Sequence, residues 1–136
     1  MRVVGISAKV NNDREDLIDD VWELFFNSEV LDYLDENNLS GDIISVYHEY
    51  EGDHADDYTL LIGYEVEDDY EVPVGLNFVD ITLNHNVINV KGELPEAAIA
   101  EWENIWDDDS QERAYIVDFD IYDPKEDKVD INVEYK

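Results

Sequence analysis

The sequence predicts a single α+β domain in which the order strand, helix, strand, strand occurs twice. Three observations carry this. Several short segments alternate or concentrate β-branched and aromatic residues, as strands do. Two longer segments place apolar residues at steps of three and four with acids between them, the pattern of a helix with one buried face. These elements come in the same order in both halves of the chain. At 136 residues the chain is long enough for one substantial core and short for two, so the expectation is one domain over 1–136, with halves at 1–69 and 76–136.

Each element has its own signature. "RVVGISAKV" (2–10) is apolar and β-branched and opens the chain as a strand. In "NNDREDLIDDVWELFFNSEVLDYL" (11–34) the residues Leu17, Ile18, Val21, Trp22, Phe25 and Phe26 mark one helix face. Asn12 or Asp13 is the expected cap, and the acids Asp13, Glu15 and Asp16 suit the positive end of the helix dipole. "ENNLSGD" (36–42) ends that helix. "IISVYHEYE" (43–51) and "YTLLIGYEVE" (58–67) read as strands joined by the acidic turn "GDHADD". "DDYEVPVG" (68–75) is the least regular stretch and divides the halves.

The second half restarts with an expected hairpin, "NFVDITL" and "NVINVKG", turning at Asn84-His85. "LPEAAIAEWENIWDDD" (94–109) is a helix whose start is marked by Pro95 and Glu96. Ile99, Trp102, Ile105 and Trp106 share one face. "RAYIVDFDIYD" (113–123) and "VDINVEYK" (129–136) close the chain as strands turning at "PKED". Between the halves "WELFF" aligns with "WENIW", which equates Trp22 with Trp102. Setting Tyr50 against Tyr122 equates Tyr47 with Phe119 and His48 with Asp120. A domain with internal two-fold character has a seam between its halves, and seams are common ligand sites.

Composition narrows the function. There are 37 acidic against 8 basic residues, a net charge of −29. A surface of that sign repels nucleic acid and anionic membrane, and attracts cations or basic proteins. No cysteine is present, which removes disulfides, thiol catalysis and thiolate metal sites. "MRVVGISAKVNND" turns polar too early for a signal sequence, and no apolar run reaches the roughly 18–20 residues of a spanning helix. The expectation is a cytoplasmic protein without metal or cofactor. "GDHADD" lacks the spacing of an EF-hand, and no G-x-S-x-G or other serine-nucleophile pattern occurs.

The residues that invite chemistry are Asp118 and Asp120, set inside the aromatic and aliphatic run 113–123. Alternation puts Tyr115, Val117, Phe119 and Ile121 on one strand face and Ile116, Asp118, Asp120 and Tyr122 on the other. Two readings are open: an acidic face in water, or a carboxylate that aromatic neighbours shield and a cation relieves. Trp102 and Trp106, four apart on one helix face, are either core residues or a stacking surface for a flat cation. Trp22 reads as core. Tyr47, Tyr50, Tyr64, Tyr115 and Tyr122 fall on expected central strands, with Tyr50 and Tyr122 the pair expected at the groove.

"VYHEY" with "YTLLIGYEV", then "W-x-x-I-W", "R-x-Y" and "DFDIYD", resemble the GyrI-like effector-binding family over essentially the whole chain. That family includes drug-binding domains of multidrug-responsive transcription activators, gyrase-inhibitor-like proteins and integron cassette proteins. The resemblance implies two pseudo-symmetric βαββ modules forming one curved antiparallel sheet, with helices on one side and a groove at the junction. It also implies a stand-alone binder of hydrophobic, cationic small molecules. Asp120 would be the cation partner, where the family motif D-F-E-x-Y carries the longer Glu. Trp102 and Trp106 would stack, Tyr47, Tyr50 and Tyr122 would line the groove, and Asp118 would be solvated. No helix-turn-helix precedes the domain, so direct DNA binding is not expected. Two alternatives follow from the resemblance. One is hydrolysis of strained electrophilic compounds by Asp120 with Trp102. The other is an acidic decoy of DNA that holds a basic protein such as gyrase, or a separate DNA-binding regulator.

Overall fold

The computed structural model describes residues 1–27, 39, 41–93, 96–108, 110–123 and 125–136. The expected continuation of the first helix to residue 34, most of its expected break at 36–42, the helix-start marker Pro95, and Pro124 of the "PKED" turn lie outside the described residues. The elements run β1 (Arg2–Val10), α1 (Glu15–Asn27), β2 (Ile43–His48), β3 (Tyr58–Val66), β4 (Asn77–Asp80), β5 (Asn86–Lys91), α2 (Glu96–Asp107), β6 (Val117–Asp123) and β7 (Lys128–Val133). All seven strands form one antiparallel sheet in the order β4-β1-β3-β2-β6-β7-β5. Leaving β4 aside, the order 1-3-2 is mirrored by 6-7-5. The seam is therefore the β2–β6 pair, as the repeated order of elements requires.

The expected hairpin of "NFVDITL" with "NVINVKG" does not form. β4 pairs with β1 at one edge of the sheet and β5 pairs with β7 at the other. Their pairing partners lie earlier and later in the chain, so the local turn signal at Asn84-His85 does not decide register. The link between them, residues 81–85, crosses the back of the sheet. Ile81 belongs to the back cluster, and the His85 ring meets Phe119 edge-on at 4.9 Å. In a flat sheet of this order, spacings of about 4.8 Å would hold β4 and β5 roughly 29 Å apart. Chain from Asp80 to Asn86 spans at most about 22 Å. The sheet must curl backwards, away from the helices, to let the link close.

Strand alternation sorts the apolar residues into three clusters. On the helix face, Val4, Leu60, Ile62 and Tyr64 pack with Val21 and Phe25 of α1. Val129, Ile131 and Val133 pack with Ala98, Trp102 and Ile105 of α2. On the back, Val3, Ile44, Val46, Leu61, Val79, Ile81 and Phe119 form the third. A buried Leu, Ile or Phe contributes roughly 1.5–3 kcal/mol, so a sheet covered on both sides supplies the main stabilising term. At the start of α1, Asn11 rather than Asn12 or Asp13 takes up a free amide, accepting from Asp13 N–H at 2.8 Å. Asn12 turns instead towards the seam, where it accepts from the Tyr58 hydroxyl at 2.7 Å and donates to the His54 carbonyl at 2.8 Å.

Candidate ligand-binding groove

The helices stand on either side of the seam and leave a groove between them with a volume of about 640 Å³. α1 contributes Ile18, Trp22 and Phe26 to one wall, and α2 contributes Ala98, Ile99, Trp102 and Trp106 to the other. The floor is Ile43, Tyr47, Tyr58, Leu60 and Tyr122. One end holds Asn12, Tyr50, His54 and Arg113, with the rings of His54 and Trp106 stacked in parallel at 5.6 Å. The groove is apolar in its middle, with carboxylates of Glu15, Asp19, Asp123 and Asp127 on its lining.

Beneath the floor lie Asp118 and Asp120, both with no solvent exposure. They occupy the helix-facing side of β6, because each shares a face with its β2 partner, Tyr47 opposite Asp118 and Ser45 opposite Asp120. The expectation that Asp118 is solvated is overturned. Its carboxylate pairs with Arg113 Nη2 at 2.6 Å and accepts from the Tyr50 hydroxyl at 2.6 Å and from Glu134 N–H at 2.9 Å. Burial without these partners would be prohibitive. What alternation read as an outward face is an inward one, because helices and aromatic rings cover it.

Asp120 has different company. It accepts from the Tyr47 hydroxyl at 2.5 Å, from the Trp102 indole N–H at 3.1 Å to both oxygens, and from the Tyr122 hydroxyl at 3.4 Å. All three donors are neutral, and no cation pairs with it among the described residues. Burial pushes its carboxyl up to about 7, against the pull of the hydrogen bonds from Tyr47, Trp102 and Tyr122. Burial and the neighbouring Asp120 charge hold the Tyr47 and Tyr122 hydroxyls well above their ordinary range, so they remain donors. Asp120 is not itself on the groove wall. Tyr47, Trp102 and Tyr122 lie between it and the cavity.

The geometry brings Tyr47, Tyr50, Trp102, Trp106 and Tyr122 onto one groove with Asp120 under it. Trp102 is at once a core residue, 8% exposed, and a hydrogen-bond donor to the carboxylate. Trp22 is only partly buried. It lines the groove and meets Tyr122 edge-on at 5.6 Å, which corrects its reading as a core residue. Sequence reasoning places none of Arg113, His54, Asn12 and Tyr58 in the groove: Asn12 reads as a helix cap, His54 as part of the acidic turn, and Arg113 only as part of the R-x-Y motif.

Tyr50 and Tyr115 are not on strands. β2 ends at His48 and β6 begins at Val117, and between them and these tyrosines the backbone leaves the strand with positive φ at Glu49 (52°) and at Tyr115 itself (53°). Left-handed residues break alternation. Tyr50, which by parity would point to the back with Val46 and His48, instead reaches the groove and packs its ring on Tyr115 at 5.5 Å. This also corrects the repeat alignment on this strand. Equating Tyr50 with Tyr122 equates Tyr47 with Phe119 and His48 with Asp120, pairs that project from opposite faces; the true offset differs by an odd number of residues.

The family model of integron-associated effector-binding proteins matches residues 1–135. The chain belongs to this family. Among solved structures, an integron cassette protein from the mobile metagenome of Vibrio cholerae superposes with a TM-score of 0.79 at 19% identity, covering 100% of this chain and 90% of that one. SAV2435, solved bound to tetraphenylphosphonium, superposes with a TM-score of 0.75 at 16% identity, covering 100% and 88%. At such identities the family member and these structures share a fold. No curated protein sequence matches the chain. Among the described residues no helix is long and apolar enough to cross a membrane, and no group of three His, Cys, Asp or Glu side chains is placed to hold a metal ion.

Proposed function

We propose that the groove binds hydrophobic cations, with Asp120 as the charge that selects them. One observation carries the reading. Two carboxylates stand two residues apart on the same buried strand face, and among the described residues only Asp118 has an internal cation. A carboxylate buried among neutral donors is relieved by a positive charge brought close above it, since attraction is weakly screened where water is excluded. The aromatic lining adds stacking and cation–π attraction. Tetraphenylphosphonium, the ligand of SAV2435, is a compound of this class.

The test is titration with tetraphenylphosphonium and with tetraphenylborate, an anion of nearly the same shape, followed by tryptophan quenching. The cation should bind and the borate should not. Asp120→Asn should weaken the cation by about ten-fold or more, on the order of the 1.4 kcal/mol that a tenfold change represents. Affinity for the cation should rise as pH rises through about 7, because the ionised carboxylate is the binding form. Equal affinity of the Asn variant, or a flat pH profile, would remove Asp120 from the site.

A second reading makes Asp120 a general base that acts through the Tyr47 or Tyr122 hydroxyl between it and the groove, taking up the proton of a water that attacks an electrophilic ligand there. Turnover of a strained electrophile that is lost in Asp120→Asn, with tetraphenylphosphonium still bound, would separate catalysis from binding.

A further inference from the structure

We propose that Arg113 forms a second recognition point in the groove, selecting among apolar cations those that carry an uncharged hydrogen-bond acceptor such as a carbonyl oxygen. Arg113 is 6% exposed and lines the cavity at the end formed by Tyr50, His54 and Trp106. Its Nη2 is committed to Asp118. Its Nε and Nη1 are buried with no hydrogen-bond partner among the described residues. The guanidinium carbon lies over the rings of Tyr115 and Trp102, 4.4 Å and 5.5 Å from their centroids. Cation–π attraction favours the charge but gives the Nε and Nη1 N–H groups no oxygen or nitrogen acceptor.

Buried charged donors without acceptors are rare in folded proteins and costly. A ligand oxygen that reached them would form a charge-assisted bond in a place closed to water, where such bonds are strong. The charge of that oxygen follows from the surroundings. Asp118 already neutralises Arg113, and the chain as a whole carries −29, so an anionic group would meet net repulsion. A neutral acceptor would not. Tyr115 lies outside β6, and its hydroxyl meets His54 of the groove lining at 3.4 Å, so a shift of this ring at that end would uncover the Arg113 donors.

The inference rests on the cation reading, and its test separates the two. The probes are 4-benzyl-N,N,N-trimethylanilinium and 4-benzoyl-N,N,N-trimethylanilinium, which differ only in a CH₂ replaced by C=O. Calorimetry on the wild type should show the ketone binding about ten-fold or more tightly. In Arg113→Lys, which keeps a cation for Asp118 but lacks the Nε and Nη1 donors, that ratio should fall below about threefold. Should the variant not fold, the Arg113 Nε–H resonance of the wild type should shift with the ketone and not with the benzyl probe. Equal affinities in the wild type, a ratio that persists in Arg113→Lys, or an unmoved resonance would each overturn the proposal. Binding of the benzyl probe with loss in Asp120→Asn, but no ketone preference, would overturn this inference alone. Failure of both probes to bind would overturn the cation reading with it.

Discussion

At Asp120 burial disfavours the ionised form more strongly than hydrogen bonds from Tyr47, Trp102 and Tyr122 favour it, and the carboxyl titrates at about 7. An aspartate in an unfolded chain titrates near 4. Between these values the folded protein binds a proton that the unfolded chain has lost. The contribution of Asp120 to stability is therefore fully present below about pH 4 and fades as pH rises through 7. Asp120→Asn, which carries no charge at any pH, should gain thermal stability relative to the wild type as pH is raised from 5 to 8, on the order of 2–4 kcal/mol at the upper end. Parallel melting curves for the two proteins would show a constant difference if the carboxyl titrated in its ordinary range. At Asp118 the logic is that of a buried ion pair. Arg113→Met leaves that carboxylate uncompensated and should cost about 3–5 kcal/mol, while adding Asp118→Leu should recover much of the loss. A double-mutant cycle by urea unfolding that gave additive losses would contradict the pairing.

Among the elements, β1 and β3 meet through facing glycines, Gly5 opposite Gly63. A Cβ on Gly63 would overlap the Val4 carbonyl, and one on Gly5 would overlap the Ile62 carbonyl. The two longest strands thus approach at this point as only glycine permits. Gly63→Ala should destabilise by about 2 kcal/mol or more, outside the range of ordinary surface changes, and a melting temperature within a degree or two of wild type would refute it. Elements of this kind show how far the sequence could be read. The two helices and the strands of β1, β2, β3, β6 and β7 were legible because burial imposes period on residues such as Val21, Trp22 and Phe25, or Val129, Ile131 and Val133. β4 was legible as a strand and not in its partner, since its bonds go to β1 some seventy residues earlier. Asp120 was legible as a candidate because aromatic residues crowd it in sequence. The resemblance set it apart from Asp118, but the burial of Asp118 was hidden, because its partner Arg113 reaches over from outside β6.

For the whole molecule the governing term is charge. A net −29 spread over a chain of this size opposes its own compactness. Raising ionic strength from about 0.01 M to about 0.5 M shortens the screening length well below 10 Å, so the melting temperature should rise with sodium chloride while the association rate of tetraphenylphosphonium falls. A melting temperature that is independent of salt would mean the acids are already compensated. The same molecule-wide view gives the link 81–85 a meaning beyond connection. It ties the two outer edges of the sheet together behind the groove, like a drawstring. The helices stand on the convex side, so a tighter tie splays them apart and a slacker one lets them close. A five-residue segment that lines no part of the groove should therefore bear on the groove's width. Lengthening it by two residues should shift preference towards smaller cations with every groove side chain unchanged, a means of altering selectivity from the far side of the protein.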